Sequence, residues 1–272
     1  MIAAVLLTLA QPAAAAEALP PPSAPRTLAQ DRLDLCMDKA RNDPTTAISE
    51  ASAWDRETGG TESSEAQQCL GIAYTAMLRW QAAERAFLAS REAAPAADPF
   101  RRAQLAAMAG NAALAEGRGA AAQVALEMAA TDATETGDAA LQALVQVDLA
   151  RALVLQGDTA RAEAALETAR MLDPQSPFAW LLSATLARRQ NKLEEARSFI
   201  ETAATLAPDY AETGLEAGVI AMLSGDEEGA RKSWQSVIAV DPSGDEAATA
   251  RGYLAQIDAP AADTPASEET AR

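Results

Sequence analysis

Three prolines, Pro174, Pro208 and Pro242, stand at intervals of 34 residues, in the contexts LDP, LAP and VDP. Ahead of each runs a small–large–small series at fixed offsets: Ala162, Leu166 and Ala169; Ala196, Ile200 and Ala203; Ala230, Trp234 and Val237. A period of this length is the signature of stacked helical hairpins, because two antiparallel helices cannot bury their apolar faces alone and must lean on the next copy. Alanine at the first small position lets helices approach closely. Proline, which lacks an N–H and biases the preceding residue away from the helix, ends one unit and opens the next. Within each unit the turn reads QGD (156–158), QNK (190–192) and SGD (224–226). Gly or Asn there supplies a left-handed residue, and Asp158 or Asp226 caps the helix that follows.

A further unit upstream carries Leu70, Gly71 and Tyr74 on one helix, then Ala83, Phe87 and Pro95. With the 34-residue period, these residues resemble the tetratricopeptide repeat family. In that family the leucine and tyrosine fill the core and the glycine admits the neighbouring helix. This chain departs from the pattern at Gln67, where the family often has tryptophan, and at Ser183-Ala184, where the leucine–glycine pair is weaker. The resemblance implies an all-α, right-handed α–α superhelical solenoid of about five hairpins closed by a C-terminal capping helix. Its units lie near 27–60 (a degenerate terminal unit), 64–97, 101–136, 143–176, 177–210 and 211–243, with the cap over 245–257. Thr58–Ser64 reads as a loop, and TETGD (134–138) stands in for the missing proline between two units.

Outside the solenoid the chain reads differently. Residues 1–16, MIAAVLLTLAQPAAAA, look like a secretory signal, with an apolar core, Pro12, and small residues suited to cleavage after Ala16. That core falls far short of the ~20 residues of a membrane span. Residues 17–26 form a proline-rich linker, and 258–272 form an acidic Pro/Ala-rich tail expected to be disordered. The expected compartment is the periplasm, or another site of export, with the mature chain soluble. The net charge of −17 argues against nucleic acid and anionic membranes as partners and serves solubility.

Catalytic chemistry finds little to work with. The chain has no histidine, no G-x-S-x-G, no phosphate-cradling G-x-x-x-x-G-K-[ST] and no H-E-x-x-H. Glu194-Glu195 and Glu227-Glu228 fall at predicted helix starts, where carboxylates complement the helix dipole. No catalytic residue, metal site or cofactor is expected. Cys36 and Cys69 fall on first helices of adjacent units, which are neighbours in a stack of this family. They form either one disulfide, favoured by export, or two separate buried thiols.

The expected function is therefore non-enzymatic, a protein-interaction scaffold of the bacterial envelope; the alternative is a structural subunit acting by self-association as a homo-oligomer or within an envelope complex. In the family the first helix of each repeat lines the concave side. Three stripes with steps of 3, 4 and 3 fall there: Leu144, Val147, Arg151 and Val154; Phe178, Leu181, Thr185 and Arg188; Glu212, Leu215, Val219 and Met222. The expected partner is a protein or peptide that buries an apolar helix or extended segment in this groove, with an acidic group or chain terminus at Arg151 and Arg188. Burial of the stripe inside a tighter superhelix is the competing expectation. If the leader is cut as read, protein recovered from the envelope fraction begins at Glu17 by N-terminal sequencing; an uncleaved chain held in the cytoplasm would refute the export.

Overall fold

A computed structural model describes residues 27–58 and 61–259. The expected leader and linker lie outside the described residues, as does the expected tail apart from Asp258, which ends the last helix, and Ala259. The described residues form thirteen helices: α1 (Leu28–Asn42), α2 (Pro44–Thr58), α3 (Thr61–Ala76), α4 (Trp80–Ala93), α5 (Pro99–Ala115), α6 (Gly119–Thr136), α7 (Ala139–Leu155), α8 (Thr159–Leu172), α9 (Pro177–Arg189), α10 (Leu193–Leu206), α11 (Ala211–Leu223), α12 (Glu227–Val240) and α13 (Asp245–Asp258). They pair as six hairpins, α1–α2 through α11–α12, with α13 as the cap. The degenerate N-terminal unit thus builds a complete hairpin, with Leu33, Cys36 and Ala40 of α1 buried against Ala47, Ala51 and Trp54 of α2.

Two boundaries differ from the sequence reading. Thr61–Ser64 belongs to α3 rather than to a loop; its Glu62 sits in the first turn, where the helix dipole favours a carboxylate. The break at 134–138 is also shorter than expected. Helix α6 runs to Thr136, Gly137 takes the left-handed conformation as C-cap (φ 70°), and Asp138 caps α7, which therefore begins at Ala139 rather than near 143. Asp138 accepts a hydrogen bond from the backbone N–H of Leu141. One glycine and one aspartate do together what Asp-Pro does elsewhere.

The hairpin turns follow the chemistry read from sequence. Gly157, Asn191 and Gly225 hold φ of 77°, 60° and 82°, and Asp158 and Asp226 accept from the N–H groups of Arg161 and Gly229. Small residues mark the close approaches. Ala162, Ala196, Ala203 and Ala230 are fully buried, and a Cβ at Gly71, Gly110 or Gly218 would overlap Phe87, Leu126 or Trp234 respectively. In these three hairpins the large residue of the second helix thus drops into a notch on the first.

Beyond neighbours in sequence, the packing joins successive first helices: α1 to α3, α5 to α7, α7 to α9, α9 to α11 and α11 to α13. The first helices therefore form an inner layer that is unbroken from α5 to α13. At its N-terminal end Cys36 and Cys69 are buried with Cα atoms 6.0 Å apart and their sulfurs in bonding contact. That Cα separation is ordinary for a disulfide.

One turn lacks the residue its geometry asks for. Between α3 and α4, Leu78 holds φ 57° with 69% of its surface exposed, where the equivalent turns place Gly or Asn. An L-residue with a Cβ costs roughly 1–2 kcal/mol in this conformation. Leu78→Gly is expected to stabilise the chain by about 1 kcal/mol in urea unfolding followed by circular dichroism, and a loss of stability would contradict this account of the turn.

Candidate binding groove

The inner layer is hollowed where α7, α9 and α11 adjoin. A cavity of about 500 Å³ is lined by Leu144, Val147, Asp148 and Arg151 of α7, Phe178, Leu181, Leu182 and Thr185 of α9, Tyr210 at the start of α11, and Glu212 and Glu216 on it. A second cavity, of about 260 Å³, is bordered by Leu114, Val154, Leu155, Leu166 and Arg189. Arg151, Leu182 and Thr185 border both, so the two adjoin as one groove.

The sequence-predicted residues divide into three groups. Leu144 and Phe178 are open to solvent at 54% and 44%, and form the apolar lip. Val147 and Leu181 are buried at 6% and 8%; they touch the cavity from below but belong to the core between first helices. Thr185 is half-buried and its hydroxyl donates to the carbonyl of Leu181, while Val154 lies on the smaller cavity. The third group leaves the groove. Leu215 and Val219 pack under the cap against the Trp234 cluster, together with Tyr253, Leu254 and Ile257. Met222 remains exposed at the far end of α11, away from both cavities. The stripe holds on α7 and α9 and is consumed as core on α11, because α13 covers the face that a further repeat would cover.

Neither predicted arginine is a free cation. Nε and Nη2 of Arg188 donate to the two carboxylate oxygens of Glu216 at 2.6 and 3.2 Å, with both side chains largely buried. Arg151 donates to Asp148 at 2.8 Å and approaches Asn111, whose amide also donates to Asp148 at 2.7 Å. The acidic group expected at these arginines therefore meets cations already neutralised within the protein.

Four residues lining the larger cavity escaped the sequence reading. Asp148, Leu182 and Glu216 recur at the same 34-residue interval, one step beyond the chosen stripe, so their signal was in the period. Tyr210 precedes its helix as N-cap and lies outside any helical stripe. Its ring meets Phe178 edge-on, with centroids 5.1 Å apart. Burial foremost, and then the carboxylates of Glu212 and Glu246, push the Tyr210 phenol above its ordinary pKa. Trp180 of α9 faces away from the groove. Its indole donates to the Pro174 carbonyl, and the Arg170 guanidinium lies over both Trp180 and Phe199, its pKa lowered by burial.

A family model described as tetratricopeptide repeat matches residues 179–210. Among solved structures, PilW, a widely conserved type IV pilus biogenesis factor, is similar at a TM-score of 0.65 and 18% identity, covering 83% of this chain and 99% of that one. The structure of pilF from Pseudomonas aeruginosa is similar at 0.60 and 15%, covering 84% and 99%. BtubC from P. vanneervenii is similar at 0.57 and 17%, covering 88% and 98%. No protein with a curated description matches the chain. These likenesses carry the fold.

The division between lip and core has a measurable consequence. Leu181→Ala empties a buried position and is expected to cost about 2–4 kcal/mol of unfolding free energy. Phe178→Ala is expected to cost about 1 kcal/mol or less, since its ring is half-exposed and gains mainly the edge contact with Tyr210. Equal losses in denaturant titrations of the two variants would show that the lip is core.

Proposed function

We propose that this chain, whose residues 179–210 match a tetratricopeptide-repeat model and whose described helices stack as hairpins, is a non-enzymatic binding scaffold that holds an apolar segment of another protein in the groove formed by α7, α9 and α11. The observation that carries this reading is the lip. Leu144 and Phe178 are exposed side by side above a cavity of about 500 Å³, in an inner layer where water would otherwise meet apolar surface. Seating an apolar side chain there removes three hydrophobic surfaces from water at once, those of Leu144, Phe178 and Tyr210. The buried floor of Val147 and Leu181 needs no rearrangement to receive it.

The same reading places the scaffold in the envelope of a bacterium. Supporting this are the leader-like residues 1–16 and a cysteine pair held at disulfide distance, which an oxidising compartment would lock. No described helix is long and apolar enough to cross a membrane.

Site-directed photocrosslinking tests the groove directly. A benzophenone side chain at position 144 or 178 is expected to give a discrete adduct with a second polypeptide in cells. The same group at Val124, exposed on α6, or at Met171, exposed on α8, is expected to give none. Adducts of equal yield at all four positions, or at none, would remove the groove as the binding site. Adducts at twice the chain's own mass would favour self-association instead.

A further inference from the structure

The charges that remain unpaired around the groove specify what kind of segment fits it, an inference that rests on the groove being the binding site. Asp148 is tied to Arg151 and Glu216 to Arg188, so these four side chains cancel in pairs. Glu212 and its 34-residue counterpart Glu246, at the starts of α11 and α13, have no ion-pair partner among the described residues. Glu212 lines the larger cavity together with Phe178 and Tyr210, which places an unpaired carboxylate at the aromatic end of the groove, and Glu246, one repeat further on, adds its field at the Tyr210 phenol. Carboxylates in a first turn favour their own helix dipoles, yet no cation among the described residues pairs with either of these two. The field is one-sided. Arg189, eleven residues further along α9 than Phe178, lies at the opposite end of the groove and has no ion-pair partner among the described residues. Eleven residues of helix span about 16 Å, the length of three turns of a helical partner or some five extended residues.

We propose that the groove takes an amphipathic segment whose apolar anchor seats between Leu144, Phe178 and Tyr210 and which carries a lysine or arginine toward Glu212 and Glu246. The opposite polarity, a carboxylate at the aromatic end, would face two like charges with no cation paired to them among the described residues. A cation there gains two partners, and the paired arginines need not be disturbed. The sign is the reverse of that expected from Arg151 and Arg188 in the sequence. The asymmetry also fixes direction: an acid in the segment falls on the Arg189 side of the apolar anchor.

The test is selection of random twelve-residue peptides displayed on phage, using the full chain as bait and discarding binders that also bind the Phe178→Ala variant. Enriched peptides are expected to share an apolar anchor with Lys or Arg on one side of it. A synthetic peptide from that pool, labelled and followed by fluorescence anisotropy, is expected to bind the Glu212→Lys variant about tenfold more weakly at low salt, with the loss shrinking at high salt. Reversing the peptide's own charge is expected to recover binding to that variant. Glu92→Gln, which removes an exposed carboxylate on α4, is expected to leave affinity unchanged and so separates local charge from the net −17. If no peptide distinguishes the protein from Phe178→Ala, the groove reading itself fails. If peptides depend on Phe178 but show no basic bias, or bind Glu212→Lys equally well, the groove stands and the charge inference is overturned.

Discussion

Helix-to-helix distance is the constraint on which this structure depends. Three hairpins close because glycine faces a bulky residue across the interface: Gly71 against Phe87, Gly110 against Leu126, Gly218 against Trp234. The volume that a solenoid needs in its core is supplied from one side of each contact at a time. This explains how a chain with 4% aromatic residues packs so many buried positions, since alanine itself does much of the filling. It also makes the fold intolerant at the small residues and permissive at exposed ones. Because first helices pack on first helices from α5 to α13, the inner layer there is continuous and its surface residues fall in columns set by the repeat. The groove is a by-product of that register.

Electrostatics then divides the inner face. Ion pairs at Asp148–Arg151 and Glu216–Arg188 run within and between first helices. Such half-buried pairs fix the relative position of the helices while contributing little net charge. Similar pairs recur outside the groove. Asp132, almost wholly buried, takes a bidentate hydrogen bond from Arg91 and an ion pair from Arg102, bridging α4, α5 and α6. Arginine in this protein is mostly committed to its own carboxylates, and the surplus of acid over base is what reaches solvent.

The fold was legible in the sequence because its determinants are local and periodic. Proline spacing, left-handed turn residues and small–large–small series each report a single turn or contact, and every copy repeats the message. Boundaries were less legible where a turn used different chemistry, as at Gly137-Asp138, whose two residues replace a proline-marked loop. The groove was half legible. Leu144 and Phe178 were placed by helical phase alone, but phase cannot say whether a position meets water or the next repeat. Val147 and Leu181 share that face and are buried, since neighbouring first helices close over one edge of it. The arginines misled for a related reason. Sequence reveals a cation, whereas its partner 28 residues away, Glu216 for Arg188, becomes visible only once the helices are side by side.

The cap decides where the groove ends. Repetition alone would continue the apolar column from Leu144 and Phe178 onto the next first helix, but that position is Glu212, and on the cap it is Glu246. The interior column behaves in the opposite way: Leu215 and Val219 stay apolar because Tyr253, Leu254 and Ile257 of α13 cover them. The last helices thus keep the residues that hold the stack together and exchange those that would extend its sticky lip for charge. An apolar lip continued over α11 and α13 would present a row of unsatisfied hydrophobic surface at the open end of a solenoid, the place most prone to association with another copy. Carboxylates in the first turns of both helices avoid this, stabilise the helix starts, and leave the groove with a negative end and a defined length. Termination of the repeat and polarity of the groove therefore have one physical origin.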